Sequence, residues 1–242
     1  CGGDGTINTA TEVLAARGIP LISFPAGTAN DLAAQMGWKP SWAQVQETLD
    51  GGKTRSIDLI EVNGKSFSTV GGIGVGARLV KEFNQVRQLS PSVRRMLAPL
   101  KDQVYTLLSL KTLLLNQDYW QRLEIRTRPF HETLKVAAVF VCNQGVLGGD
   151  MKISDRADPT DGRMEIVVIT ASNRFELIDT LLKFKEGKQP RSAITLFDDH
   201  VTISQPEGNP IRFFGDGEIL VESPVLEISV RPAALTIMGG ER

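Results

Sequence analysis

The sequence predicts a two-part chain, an α/β layer with a parallel sheet followed by a smaller-stranded, β-sandwich-like region. Three observations lead there. Short apolar runs alternate with helix-like stretches as far as Gly51-Gly52. Near residue 55 the pattern changes to apolar–polar alternation around the turn dipeptide Asn63-Gly64. Strand-like segments then recur to the end of the chain, interrupted by one helical stretch near residues 173–186.

Taken in order, "INTATEVLAAR" (7–17) reads as a helix, with Ile7, Val13 and Leu14 apolar and Gly18 as its stop. "IPLISF" (19–24) reads as a short buried strand ended by Pro25. "GTANDLAAQMG" turns into a second helix that ends at Gly37. "PSWAQVQETLDGG" is a third, with Ser41 as N-cap and Gly51-Gly52 beyond its end. "RSIDLIEVNGKSFSTV" is a hairpin, and residues 78–117 read as mostly helical. "QRLEIRTR", "TLKVAAVFVCN", "RMEIVVIT", "HVTISQ", "IRFFGDGEIL" and "LEISVRPAALTIM" are strand candidates. The expected organisation is an α/β unit over 1–56 and a β-rich unit over 57–230 carrying a helical insert at about 78–117. A tail at about 231–242 is expected to return to the first unit.

The chain has 242 residues, 41% of them hydrophobic, so it can bury a proper core. Its 27 basic and 28 acidic residues leave a net charge of −1, which argues against bulk attraction to nucleic acid. Cys1 and Cys142 make no disulfide framework, and a reducing intracellular compartment is expected. No signal peptide and no apolar run long enough for a bilayer is present, so contact with a membrane would be peripheral. The sequence does not fix the oligomeric state, and a homo-oligomer is compatible with it. A Gly-rich phosphate loop normally follows a buried strand, whereas here it opens the sequence, so a piece of a longer protein is expected.

That loop is "GGDGT". Successive glycines let backbone N–H groups converge on an anion, the following helix adds the positive end of its dipole, and Thr6 can donate a hydroxyl. Asp4 would repel a phosphate unless a cation such as Mg²⁺ sits between them. A glycine-rich tight turn in which Asp4 caps a helix is the competing reading. "FPAGTANDLA" repeats the logic: Gly27 and Thr28 precede a helix, with Asn30 and Asp31 in its first turn, where Asp31 can simply complement the helix dipole. Two such starts, each after a strand of one sheet, would lie side by side at its carboxyl edge.

Together "GGDGTIN", "PAGTANDLA", "SIDLIEVNG", "GGIGVGA", "DPTDGRMEIVVI" and "GDGEIL" resemble the diacylglycerol kinase catalytic family, in particular its bacterial lipid kinases. Sphingosine and ceramide kinases are relatives, and NAD kinases share the opening loop more distantly. The resemblance implies a two-domain NAD kinase/diacylglycerol kinase-like architecture with ATP between the domains and a lipid on the sandwich. It implies an ATP-dependent transfer of the γ-phosphoryl group to the hydroxyl of a diacylglycerol-like lipid, in phospholipid metabolism at the cytoplasmic face of a membrane. Gly2, Gly3, Asp4, Gly5, Thr6, Gly27, Thr28, Asn30 and Asp31 would bind the nucleotide, with Asp4 near its phosphates and metal. Glu218 matches the proton acceptor and Asp216 sits beside it, so Glu218, Asp216 and Asp4 form the implied catalytic set. A structural Mg²⁺ would take the side chain of Asp161 and the carbonyls of Asp158 and Arg163. A sphingoid or NAD kinase-like phosphotransferase, or a non-catalytic nucleotide- or lipid-binding module, are the alternatives. Thr9 departs from the family, which usually carries Glu there, and Asp155 stands where Pro is common. The implied leading βαβ segment would lie upstream of Cys1.

From the residues alone, Glu218 suits a proton acceptor in a partly dry cleft, while "GDGE" also reads as a plain hairpin turn with Glu218 exposed. "DRADPTDG" carries three carboxylates without the EF-hand spacing, and a solvated acidic turn is its simpler explanation. "GGIGVG" lacks the dinucleotide spacing and reads as close backbone packing. His131 and His200 have no partners at ligand spacing. Seven basic residues (Arg78, Lys81, Arg87, Arg94, Arg95, Lys101, Lys111) face only Glu82 and Asp102, so this segment reads either as a solvated face or as a helix resting on an anionic bilayer.

Overall fold

The structure, a computed structural model, describes residues 1–27, 29–87, 120–149 and 151–239; side chains are described in these ranges except at 83–87. Three helices come first: α1 (Asp4–Arg17), α2 (Asp31–Gln35) and α3 (Trp42–Gly51). α1 starts three residues earlier than periodicity indicates, because Gly3 in extended backbone serves as its N-cap. Gly18, at φ 61°, closes it, as an αL glycine does. Ser41 caps α3 as expected, its hydroxyl accepting from the Gln44 amide.

Among the described residues fourteen strands follow or interleave: β1 (Thr54–Val62), β2 (Lys65–Phe67), β3 (Val70–Gly74), β4 (Gln121–Arg126), β5 (His131–Val136), β6 (Ala138–Cys142), β7 (Val146–Leu147), β8 (Met151–Lys152), β9 (Met164–Ile169), β10 (Ala193–Asp198), β11 (His200–Ser204), β12 (Ile211–Gly215), β13 (Glu218–Ser223) and β14 (Val225–Met238). Two more helices, α4 (Val75–Arg87) and α5 (Arg174–Lys185), join them. One six-stranded sheet runs β2-β1-β14-β11-β4-β5 and the other β10-β9-β6-β3-β12-β13. Asn63 and Gly64 both take positive φ (46° and 82°), as the tight β1–β2 hairpin requires.

The expectation of a parallel sheet is corrected here. Every ladder in both large sheets is antiparallel. Among the described residues parallel pairing is confined to two isolated bridges, Gly2 with Pro25 and Leu21 with Ile237. Segment 19–24 is accordingly not a strand. Prolines at 20 and 25 remove two amides from it, and its remaining bonds reach single residues on either side. "TLKVAAVFVCN" proves to be two strands parted at Ala137, and β10 went unread because its residues are only half-buried. Most of the helical reading for 78–117, with its basic residues from Arg94 onward, lies outside the described residues; α4 accounts for its start.

Burial sorts along each strand with period two. Val139 and Val141 of β6 and Ile166 and Val168 of β9 face the core between the sheets, where they meet Phe213, Ile60 and Ile228. Phe140, Cys142, Val167 and Ile169 point the other way, into a second core closed by Val75 of α4 and by Leu177 and Phe184 of α5. The centre of the second sheet, β6 and β9, is thus buried on both faces, which is why these strands read as unbroken apolar runs. Gly72 and Gly74 of β3 explain "GGIGVG": a Cβ at either would come within 2.3 Å of a backbone oxygen on the neighbouring strand segment. A third core holds Ile7, Leu21, Leu32 and Trp38 against Ile57, Leu59, Leu235 and Ile237. β1 and β14 therefore serve both the sandwich and the helical layer.

Their ladder breaks at one place. Between Ile57 and Leu59 the register shifts, opposite Pro232 and Ala233, and Ala233 sits at φ 49°. Asp58, 2% exposed, repairs the break. Its Oδ1 accepts from the Ala233 amide at 2.7 Å and its Oδ2 from the Gly162 amide at 2.8 Å. Asp58→Ala leaves both amides without an acceptor and should lower stability by about 3 kcal/mol. Urea denaturation followed by circular dichroism checks this; a loss below about 0.5 kcal/mol, the range of an ordinary surface change, would contradict it.

Candidate active site

The two glycine loops meet backbone to backbone. A Cβ on Gly3 would stand 2.8 Å from the Cα of Gly27, and one on Gly27 would stand 2.5 Å from the Cα of Gly3. No side chain larger than hydrogen fits at either position. Beside this contact the Gly2 amide donates to Phe24 O (3.1 Å) and the Ala26 amide to Gly2 O (3.0 Å). The Thr6 side chain lies over Gly2. Thr28 lies outside the described residues.

Asp4 caps a helix, but not its own. Its Oδ2 accepts from the Asn30 amide at 2.8 Å and its Oδ1 from the Asp31 amide at 2.7 Å, so the carboxylate of the first loop closes the start of α2. Asn30 holds the αL conformation (φ 53°), which Asn tolerates better than most residues. Its side chain folds back on the second loop, Oδ1 accepting from the Gly27 amide and Nδ2 donating to Gly27 O. Asp31 follows, 8% exposed. Its Oδ2 accepts from the Gly148 amide at 2.9 Å, while its buried Oδ1 has no hydrogen-bond partner among the described residues.

Across from these loops stands the β12–β13 hairpin. Asp216 and Gly217 form its two-residue turn, with φ of 49° and 75°. The simple turn reading of "GDGE" is therefore right as geometry, yet the turn is not idle. The Asp216 carboxylate is buried and accepts from the amides and hydroxyls of Ser68 and Thr69 and from Asn8 Nδ2. The Asn8 bond ties the hairpin to α1. Glu218 is half-buried, not exposed, and its Oε1 would lie 3.6 Å from a Cβ on Gly5. The structure thus brings Glu218, Asp216, Asp4, Asp31, Asn30, Gly27 and Gly2–Thr6 into one neighbourhood.

Electrostatics follow from the crowding of acids. Burial raises the Asp4 carboxyl above its ordinary value, against its bonds from the Asn30 and Asp31 amides, and the Asp216 charge raises it further. Burial pushes Asp31 up to about 6, with the Asp4 and Asp216 charges adding to the effect. All donors here are hard oxygens, and the orphaned Oδ1 of Asp31 wants a cation or a proton, so the group fits the chemistry of Mg²⁺. Among the described residues no three His, Cys, Asp or Glu are gathered closely enough to hold an ion alone.

Asp158, Asp161 and Arg163 sit apart, on the loop before β9. Asp158 Oδ1 accepts from the Thr160 amide and hydroxyl, and Asp161 Oδ1 accepts from the Arg163 amide at 2.9 Å. Asp58 anchors that loop through Gly162. His131 and His200 lie exposed on the sandwich beside Glu124 and Glu227. Sequence reasoning assigned no role to Asn8, Asp58, Ser68, Thr69 or Gly148. A carboxylate inside the apolar run of β1, and adjacent hydroxyls in "SFSTV", were the available signals for three of them.

A two-domain fold with this arrangement of loops defines a class, the kinases of the NAD kinase and diacylglycerol kinase type. The family described as diacylglycerol kinase catalytic domain matches residues 1–62, and that described as YegS C-terminal NAD kinase beta sandwich-like domain matches residues 74–239. The chain belongs to this diacylglycerol kinase and YegS family of lipid kinases. It is 28% identical to a diacylglycerol kinase of Mycobacterium tuberculosis, over 98% of this chain and 74% of that protein. It is 28% identical to a "probable lipid kinase YegS-like" protein of Klebsiella pneumoniae, over 97% and 74%. The structure of a diacylglycerol kinase from Bacillus anthracis superposes with a TM-score of 0.68 at 19% identity, covering 98% of this chain and 74% of that one, a likeness of fold. No helix among the described residues is long and apolar enough to cross a membrane.

The elevated value of Asp31 fixes a sign. A carboxyl raised from 3.8 to about 6 on folding holds its proton more tightly in the native state, so its contribution to stability falls as pH climbs through that window. Asp31→Asn removes the cost of ionisation. The variant should exceed the parent by about 2 kcal/mol near pH 7.5 and converge with it near pH 3.5, measured by urea titration at each pH. A difference independent of pH would contradict the assignment.

Proposed function

We propose that the chain is an ATP- and Mg²⁺-dependent lipid kinase that transfers the γ-phosphoryl group to the hydroxyl of a diacylglycerol-like lipid. The observation that carries this reading is the approach of Glu218 to the Gly5 end of the first glycine loop. A base beside a phosphate cradle is what transfer to an alcohol needs.

In this reading the amides of Gly3 and Gly5, with the Thr6 hydroxyl and the second loop through Thr28, hold the triphosphate at the starts of α1 and α2, while Gly2, Gly27 and Asn30 shape the cradle through their own bonds. Asp4 and Asp31 would hold Mg²⁺, which when bound would offset phosphate charge. The lipid hydroxyl oxygen bonds to the γ-phosphorus while the bond to the β-phosphate oxygen breaks, and Glu218 takes the hydroxyl proton. Asp216 acts through Glu218: hydrogen bonds from five donors commit its carboxylate to fixing the turn, so it is a positioning residue. Asp161, with the carbonyls of Asp158 and Arg163, forms a second, structural site of oxygen donors suited to Mg²⁺. The lipid acceptor implies a peripheral encounter with the cytoplasmic face of a membrane.

Glu218→Gln should lower kcat by about 10²–10³-fold with a diacylglycerol acceptor, while binding of Mg²⁺-ATP stays within about twofold. Labelled-ATP turnover on an acceptor panel that includes sphingoid bases and NAD, paired with a thermal shift by nucleotide, reads both quantities. Near-parental turnover would overturn the role of Glu218, and preferred transfer to NAD or a sphingoid base would overturn the acceptor.

A further inference from the structure

A cavity of about 280 Å³ opens beside the C-terminal end of α2. Gln35 and Met36 form one wall, Arg55 and Gln144 another, and Asp158 and Thr160 a third. Its polar groups are poorly served by the protein. Gln144 is 2% exposed, and neither its amide oxygen nor its amide nitrogen has a hydrogen-bond partner among the described residues. Arg55 Nε is likewise buried without a partner among the described residues, and Nη2 meets the thioether of Met36, at 3.1 Å. Sulfur is a weak acceptor, so among the described residues this half-buried guanidinium has no oxygen of its own. Leaving three such groups unmet costs stability unless something else meets them.

We propose that this cavity binds a small phosphomonoester bearing a free hydroxyl. The forked donors of Arg55 match a phosphate oxyanion, and the Gln144 amide offers one donor and one acceptor. Thr160 Oγ1 already donates to Asp158, which leaves its oxygen to accept from a ligand hydroxyl. The seat is coupled to the neighbouring carboxylate. Gln35 Nε2 donates to Val146 O and to Asp31 O, and Gly148 donates to Asp31, so one short helix and one loop serve both places. Neither Arg55 nor Gln144 belongs to the proposed phosphotransfer machinery, and the binding is read without turnover.

Isothermal titration calorimetry with glycerol 3-phosphate, inorganic phosphate and vesicles carrying lysophosphatidate, which keeps one free glycerol hydroxyl, on the parent, Arg55→Met and Gln144→Leu, tests this. Saturable binding of the parent to glycerol 3-phosphate, weakened at least about tenfold in both variants, supports a soluble ligand. Binding to the lysophosphatidate vesicles alone, lost in both variants, supports a lipid headgroup. Without ligand, Gln144→Leu should melt at or above the parent temperature, because it removes an unmet buried amide. Should Arg55→Met fail to fold, Arg55→Lys and Gln144→Leu carry the comparison. Absence of binding in every arm, or phosphate binding that survives both substitutions and so belongs to the glycine loops, would overturn the proposal.

Discussion

One carboxylate holds the site together. Asp4 stands at the start of α1 and accepts from two consecutive amides at the start of α2, across 26 and 27 residues of chain. Because the Gly3–Gly27 contact leaves no room for a side chain, the loops can approach closely enough for those bonds to form. A charge-assisted bond to backbone N–H is about twice as strong as a neutral one, and here two share one acceptor group. The cost is a buried charge beside Asp31 and Asp216, visible in the raised values of Asp4 and Asp31. A cation brought by a nucleotide would relieve that cost, which links the strength of the stitch to the chemistry proposed for the site.

The same device recurs. Asp58 joins β1 to the bulge of β14 and to the loop before β9, and Asp216 joins the β12–β13 turn to Ser68, Thr69 and α1. Each carboxylate meets amides that secondary structure leaves over, at a bulge, a turn or a helix start. The apolar cores position the sheets, and these acids fix the irregular segments between them. The residues proposed for chemistry lie in those segments, so the residues that hold them and the residues proposed for chemistry are near neighbours or the same.

Legibility in the sequence followed the same division. The hairpin at Asn63-Gly64, the caps at Ser41 and Gly18 and the apolar runs of β6 and β9 carry local signals, and each was readable. Segment 19–24 was misread because an apolar run between prolines has the composition of a strand without the amides for one. The glycine loops were legible as turns that open helices, and the placing of Glu218 and Asp216 beside them was expected from the family resemblance. That Asp4 would cap α2 instead of α1, or that Gly148 would meet Asp31, depends on contacts across 27 and 117 residues. No periodicity encodes them. Asp58 was visible as a charge within an apolar strand, but its partners Gly162 and Ala233 were not.

The account stands most directly on the two amides that Asp4 is said to hold. Hydrogen exchange at Asn30 and Asp31, followed by NMR in the parent and in Asp4→Ala, measures them one at a time. Bonds of about 1.5–3 kcal/mol should slow both amides in the parent by about 10- to 100-fold relative to the variant, with sandwich amides such as Val141 unchanged. Exchange at Asn30 and Asp31 that is equally fast in both proteins would show that the loops are not joined through Asp4.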